Sequence, residues 1–406
     1  MTLNTMTTWS EAFQTDYHDV FVKQIYGQSK AATMIRNKGK KRTVGGSSFQ
    51  AVWASNVTRG MGSSALDTEG GDLAAGIADK ADNYTLGVSQ SSFSFEVSGK
   101  LLSAARKKGP KFFKNLMDEK MKNTLDNVQF FIAIHMFGDG TGNIGTINAV
   151  SGTTNGYITM NAPGIRWFRR GMRITVRDTA TSGSEQLTNQ VASVAGEIVD
   201  EDRENDRIYC RDVAGAAAND YVALFNHYGA TAPNGLKNIV STTGTFQNID
   251  RTAVGGFYAK AWVTDRGAVA LAESDFMNLN NKVSQYANNV DSVNVFVTDH
   301  ASCVDLFTAI GDRHRYSDNE SMDVGFKTLK IHTPDGPKAL MPEKLCYPGD
   351  VYALNPGKLV EVWPEGEQGG TWFDEDGNVL RPLTAATGQG YSDAWTASRI
   401  IRYNIG

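Results

Sequence analysis

Cysteine is scarce. The three in 406 residues, Cys210, Cys303 and Cys346, lie far apart with no C-x-x-C spacing. That excludes a sequence-evident zinc or dithiol motif, and it suits a reducing compartment better than a disulfide scaffold. The six histidines, at 18, 135, 227, 300, 314 and 332, form no H-E-x-x-H and no i, i+4 pair for zinc. With only 10 prolines and a net charge of −4, the chain is neither mucin-like nor disordered. The longest apolar run, residues 130–137, is broken by His135 and falls far below the ~20 residues of a membrane span. The first residues are polar and lack the basic and apolar regions of a signal peptide. The reading is a chain made in the cytoplasm with no membrane partner.

What is present is unevenly distributed. The length suggests two to four packed units at roughly 100–200 residues each. Residues 1–42 form a basic arm, with seven Lys or Arg against three acids, or +4. Within it Phe13, Tyr17, Val20, Phe21 and Ile25 recur at helical spacing. Phe49, Ala51 and Trp53, and later Phe93, Phe95 and Val97, alternate with their neighbours at strand period. Residues 54–86 between them are rich in Gly, Ser, Asp and Ala. Two strands separated by so long a loop have little to pack on, because a lone ribbon is barely stable in water. The ribbon therefore lies on another subunit or partner, or else is a mobile surface loop.

Residues 110–137 carry the clearest signal. Phe113, Met117, Met121, Leu125, Val128, Ile132 and Met136 follow one another in steps of three or four, which predicts one continuous apolar stripe on a long helix. Pro110 suits its first turn and Gly138 stops it. Its start is basic: residues 100–122 hold eight Lys or Arg against Asp118 and Glu119, or +6. Residues 145–228 read as short strands between turn clusters, a small barrel or sandwich. A helix is expected at 267–289, a strand at 293–297, a helix capped from Thr298 and Asp299, and strands at 351–354, 359–362 and 398–403.

Chemistry is hard to find. Gly140-Thr141-Gly142-Asn143-Ile144-Gly145 fits G-x-G-x-x-G, but a helix precedes it and strands follow, the reverse of a dinucleotide site. Asp299 and His300 with Ser302 or Cys303 could suggest a nucleophile and base, yet consecutive residues at a strand-to-helix junction do not converge, and Asp299 is better read as a cap. Arg166, Arg169, Arg170, Arg173 and Arg177 are the densest cationic cluster, either an anion or partner site or a solvated barrel face. The reading assigns no catalytic, cofactor-binding or metal-binding residue.

The order of elements resembles the major capsid proteins of tailed bacteriophages, the Hong Kong 97-type fold. The resemblance is carried by Tyr26-Gly27-Gln28-Ser29 in the arm, Phe49-Gln50-Ala51-Val52-Trp53 entering the loop, and the strand 93–100. It continues through the helix from Pro110 to its end at Phe137-Gly138-Asp139-Gly140-Thr141-Gly142-Asn143, the strand 293–298, and residues 349–357.

The resemblance implies an α+β chain divided into an N-terminal arm (1–42), an extended loop (43–92), a peripheral domain with the spine helix (93–144), a β-rich insertion domain (145–228), a connection (229–266), an axial domain (267–345) and C-terminal strands (346–406). It implies that Phe49, Trp53, Arg59, Leu66, Leu73, Phe93 and Phe95 make contacts between subunits. Lys38, Lys40, Lys41, Arg42, Arg106, Lys107, Lys108, Lys111 and Lys114 would face the lumen. The partners implied are further copies in pentamers and hexamers, packaged double-stranded DNA held without sequence reading, a portal, a decoration protein, and a scaffolding protein encoded separately, with no N-terminal cleavage. The location implied is the virion, after assembly in host cytoplasm. An encapsulin-like compartment of the same fold and a soluble β-rich enzyme or carbohydrate-binding protein are the rival readings. If the two basic stretches line an interior, the rest of the chain sums to −14 and forms an acidic remainder.

Overall fold

The computed structural model describes residues 29–45, 48–54, 81–98, 110–161, 164–180, 183–187, 196–225, 227–229, 232–254, 256–267, 269, 271–285, 293–311, 329–365, 371–372, 381–384 and 391–405. In chain order, helix α1 (Lys30–Lys38) runs into β1 (Lys40–Val44), followed by β2 (Ser48–Ala54), β3 (Ala81–Gly87), β4 (Ser89–Ser98) and the long α2 (Pro110–His135). Six short strands come next: β5 (Asn143–Ser151), β6 (Tyr157–Met160), β7 (Ile174–Arg177), β8 (Ile198–Asp202), β9 (Arg207–Cys210) and β10 (Tyr221–Leu224). After α3 (Leu236–Ile239) and the hairpin β11 (Thr245–Phe246) and β12 (Ile249–Asp250) stand α4 (Glu273–Ser284), β13 (Val295–Thr298), α5 (His300–Gly311), β14 (Leu329–Thr333), β15 (Gly336–Pro342) and β16 (Val351–Leu354). The chain closes with β17 (Val360–Pro364), β18 (Thr371–Trp372), β19 (Arg381–Thr384) and β20 (Tyr391–Ile405). The fold is α+β.

The backbone of the molecule is β20. It pairs with β17, β18 and β19, and along ten residues with β4, from Ser89 opposite Tyr403 to Ser98 opposite Ala394. Strand β4 alternates strictly, burying Ser89, Ser91, Phe95 and Val97 while Gln90, Ser92, Ser94 and Glu96 face out. Phe93 meets Phe131 of α2 edge to face at 5.3 Å.

This corrects one expectation. Phe93 and Phe95 read as the returning strand of the extended loop, making contacts between subunits. The strand that returns is β3, in register with β2 from Ser48 opposite Gly87 to Ala54 opposite Ala81. Phe95 belongs to the chain's own core. Period-two alternation reveals a strand but not its partner, and here only Val88 separates the ribbon from the core sheet.

Helix α2 is about 40 Å long at ~1.5 Å per residue. Met121, Val128, Ile132 and Met136 are buried, and so is every residue from 128 to 137, Gln129 and His135 included. Earlier in the helix Glu119, Lys122, Asn123, Asp126 and Asn127 are exposed, so it is the last two turns that run through the core, where each large apolar side chain contributes about 1.5–3 kcal/mol. Phe113, Met117 and Leu125 lie on the same helix. The turn that follows depends on glycine. Gly142 has φ +79°, and a Cβ there would sit 2.4 Å from the His227 carbonyl oxygen.

Strands β5 to β10 form a sheet in the order β7-β10-β5-β6-β9-β8. Its edges meet: Ile198 N–H donates to Met172 O (2.8 Å), Gly171 N–H to Ile198 O (2.8 Å) and Ile174 N–H to Gly196 O (2.9 Å). Of the two forms expected for this segment, the structure is therefore the barrel, filled by Ile144, Ile147, Ile158, Ile174, Val176, Ile198, Ile208 and Val222. A separate four-stranded sheet, β14-β15-β13-β16, carries α4 and α5 over its own core of Phe276, Phe296, Leu306, Ile331 and Leu340. Because β16 belongs to this sheet, the unit extends past residue 345, where the sequence reading ended it. Among the described residues no helix is long and apolar enough to cross a membrane.

Candidate interaction surfaces

The sequence motifs with chemical potential are occupied by structural work. Asp299 is almost fully buried between β13 and α5, and its carboxylate accepts from Ala301 N–H (2.9 Å), Ser302 N–H (3.4 Å), Ser302 Oγ (2.5 Å) and Gly349 N–H (3.2 Å). It starts the helix and ties it to the loop before β16, as a capping carboxylate does. Burial, with the Asp299 charge beside it, pushes the Cys303 thiol up, away from the thiolate. Cys210 and Cys346 are also buried and free, with Cys210 pushed up to about 12. Among the described residues no group of three or more His, Cys, Asp or Glu could hold a metal ion.

Of the five clustered arginines, Arg166, Arg169 and Arg170 stand exposed and Arg173 and Arg177 are half-buried, and four of them also make defined contacts. Arg169 lies over Phe130 at 4.1 Å, Arg173 over Phe225 at 3.8 Å and Arg177 over Tyr228 at 3.2 Å. Arg166 donates to Cys346 O at 3.2 Å, beside Trp167, which meets Tyr347 edge to face. The Arg169 contact reaches α2, and those of Arg166 and Trp167 reach the loop before β16, whereas Arg173 and Arg177 pack on the segment that follows β10. Stacking on a ring spends the guanidinium's flat face on packing.

At the end of α2, four rings gather. Phe131 lies 4.2 Å from His135 and 4.7 Å from His227, and Phe93 completes the group. His135 Nδ1 meets Phe131 O at 2.9 Å, while its Nε2 has no partner among the described residues. Burial pushes both His135 and His227 down to about 4, so both are neutral near pH 7. Sequence periodicity gave no warning of this pair, because His135 interrupts an apolar run and His227 is remote from it.

The ribbon β2–β3 forms a two-stranded sheet of its own, and no third strand joins it among the described residues. Its root is held: Leu86 is buried against Val362, and Thr85 N–H donates to Gln247 O at 3.2 Å. Phe49 and Trp53 lie on β2, opposite Leu86 and Asp82. Arg59, Leu66 and Leu73 fall outside the described residues.

Lys38 ends α1, and Lys40, Lys41 and Arg42 stand exposed on β1, which runs parallel to β17 at the end of the β20 sheet. Lys111 and Lys114 lie in the first turns of α2, and Arg106, Lys107 and Lys108 fall outside the described residues. The arm is anchored from afar. Buried Glu343 accepts from Ser29 Oγ (3.1 Å) and Ala31 N–H (3.0 Å) at the start of α1, while Ser29 Oγ caps Ala32 N–H (3.1 Å). Arg251, buried and donating to Asn238 O and Ile239 O, is a second anchor that no sequence pattern signals.

No family model matches the chain, and no curated protein matches it. Solved structures do. The chain is similar to one from the cyanophage A-1(L) capsid asymmetric unit, with a TM-score of 0.47, 12% identity, and 92% of this chain and 88% of that chain covered. It is similar to one from the capsid of the native GTA particle, with a TM-score of 0.41, 10% identity and coverage of 92% and 85%. A third, from the satellite phage P4 procapsid including size determination (Sid) protein, has a TM-score of 0.39, 11% identity and coverage of 96% and 86%.

Proposed function

We infer that this chain is a major capsid protein of the tailed-phage type, a non-enzymatic subunit that assembles with copies of itself into pentamers and hexamers of an icosahedral shell around double-stranded DNA. The observation that carries the reading is the ribbon. A two-stranded sheet with a buried root and, among the described residues, no third strand gains stability by lying on a neighbour. A long helix whose last turns are buried, an anchored basic arm and a four-stranded unit with its own core accord with the elements the sequence resemblance implies. Rings follow from heterologous contacts whose rotation closes, and many modest contacts per subunit hold a shell together.

In this reading residues 1–42 and the start of α2 line the interior, where Lys and Arg neutralise phosphate without reading sequence. The mature location is the virion, after assembly in host cytoplasm with a separate scaffolding protein, a portal and a decoration protein. The test is negative-stain imaging of the purified full chain, alone and with the candidate scaffold. Closed shells or tubes support the reading, and persistent monomers under both conditions refute it.

A further inference from the structure

Five of the seven large hydrophobic side chains that stand exposed among the described residues fall within sixteen consecutive positions. They are Val254 (94% exposed), Phe257 (51%), Trp262 (47%), Val263 (54%) and Val269 (61%), whereas Val199 and Val304 are isolated. Residues 260–267 form neither helix nor strand. The segment is nevertheless held in place. Arg251 clamps its start to Asn238 O and Ile239 O, Ala261 N–H donates to Ser241 O (3.1 Å), Lys282 Nζ donates to Thr264 Oγ1 (3.3 Å), and Arg266 pairs with Asp275 (3.3 Å).

A tethered strip that keeps apolar groups in water is unfavourable unless something covers it. The exposed parts of these five side chains sum to an area on the order of 400–500 Å². That is about half of the ~800 Å² that one partner contributes to a standard interface. Such an area is too small to hold two free proteins together alone, and it is adequate as one contact among several around a shell subunit. The strip also begins at the ribbon's root, since Gln247, in the turn of the β11–β12 hairpin that leads into it, accepts from Thr85 of β3. Lys260, Asp265 and Arg266 give it the polar rim of an interface.

We propose that residues 254–269 form a contact surface for a second copy of this chain, continuous with the surface the ribbon root presents. The inference rests on the shell-subunit reading and names a specific patch within it. The test compares the full chain, Trp262→Ser with Val263→Ser, and Val304→Ser as an exposed apolar control, by sedimentation velocity and imaging at rising concentration. The expected result is shells for the full chain and the control, and at least tenfold fewer for the double variant, whose melting temperature and circular dichroism stay unchanged. Equal assembly by the double variant overturns the strip and leaves the shell reading standing. Unfolding of the double variant also overturns it, because the strip would then be covered within the chain, and Val254→Ser checks that outcome independently. A full chain that never assembles refutes the shell reading and the strip together.

Discussion

Ser29 and Glu343, 314 residues apart in sequence, share a hydrogen bond at the start of helix α1. The first turn of α1 holds no acidic residue, so Glu343 supplies from another unit the negative charge that a helix N-terminus favours. The arm is fastened to the fold at that point.

Replacing Ser29 with Ala removes the cap on Ala32 and is expected to cost about 1 kcal/mol. Glu343→Ala leaves two buried donors unmet and is expected to cost about 2–3 kcal/mol. Denaturant titration measures both, and trypsin should cut faster at Lys38 to Arg42 in the Glu343 variant. Equal stability and equal cleavage would show that the anchor contributes nothing.

Acid should weaken the junction at the end of α2. His135 and His227 sit at about 4 in the fold against an ordinary 6.5. Between those values the unfolded chain binds more protons, so stability rises with pH. The contribution is fully present above about pH 6.5 and is lost as pH falls toward 4. At pH 5 the loss is at most about 2 kcal/mol per histidine. Denaturation of His135→Phe with His227→Phe should show a flatter dependence over that window, and an unchanged slope would contradict the assignment.

Ile132 is almost fully buried on α2. Ile132→Ala is expected to cost about 2–5 kcal/mol, through lost burial and the cavity left behind. Calorimetry of the soluble subunit measures it. A loss under 1 kcal/mol would place the helix outside the core.

The basic strand tests the interior. Changing Lys38, Lys40, Lys41 and Arg42 to Gln should leave shells intact and weaken DNA retention, most visibly as a shallower dependence on salt. Identical DNA content and salt response would remove these four residues from the lining.

Much of this architecture is legible in the residues. The stripe from Met121 to Met136 predicts α2, the turn clusters between 145 and 228 predict a barrel or sandwich, and Asp299 reads correctly as a cap. Partnership is the part that escapes. Phe93 and Phe95 alternate as a strand must, but nothing local says that β4 pairs with β20, some three hundred residues later. The same holds for Glu343 at the start of α1, for Arg251 against α3, and for the rings of Phe130, Phe225 and Tyr228 on which Arg169, Arg173 and Arg177 lie. Each is set by tertiary contact, which periodicity does not encode.

The ribbon decides the central claim. Residues 55–80 can be replaced by Asn-Gly, a turn suited to a two-residue hairpin, so that β2 and β3 stay paired from Ser48 and Gly87 to Ala54 and Ala81. Sedimentation velocity of this variant beside the full 44.1 kDa chain should give folded single subunits for the variant and shells for the full chain. Shells from both, or single subunits from both, would contradict the account.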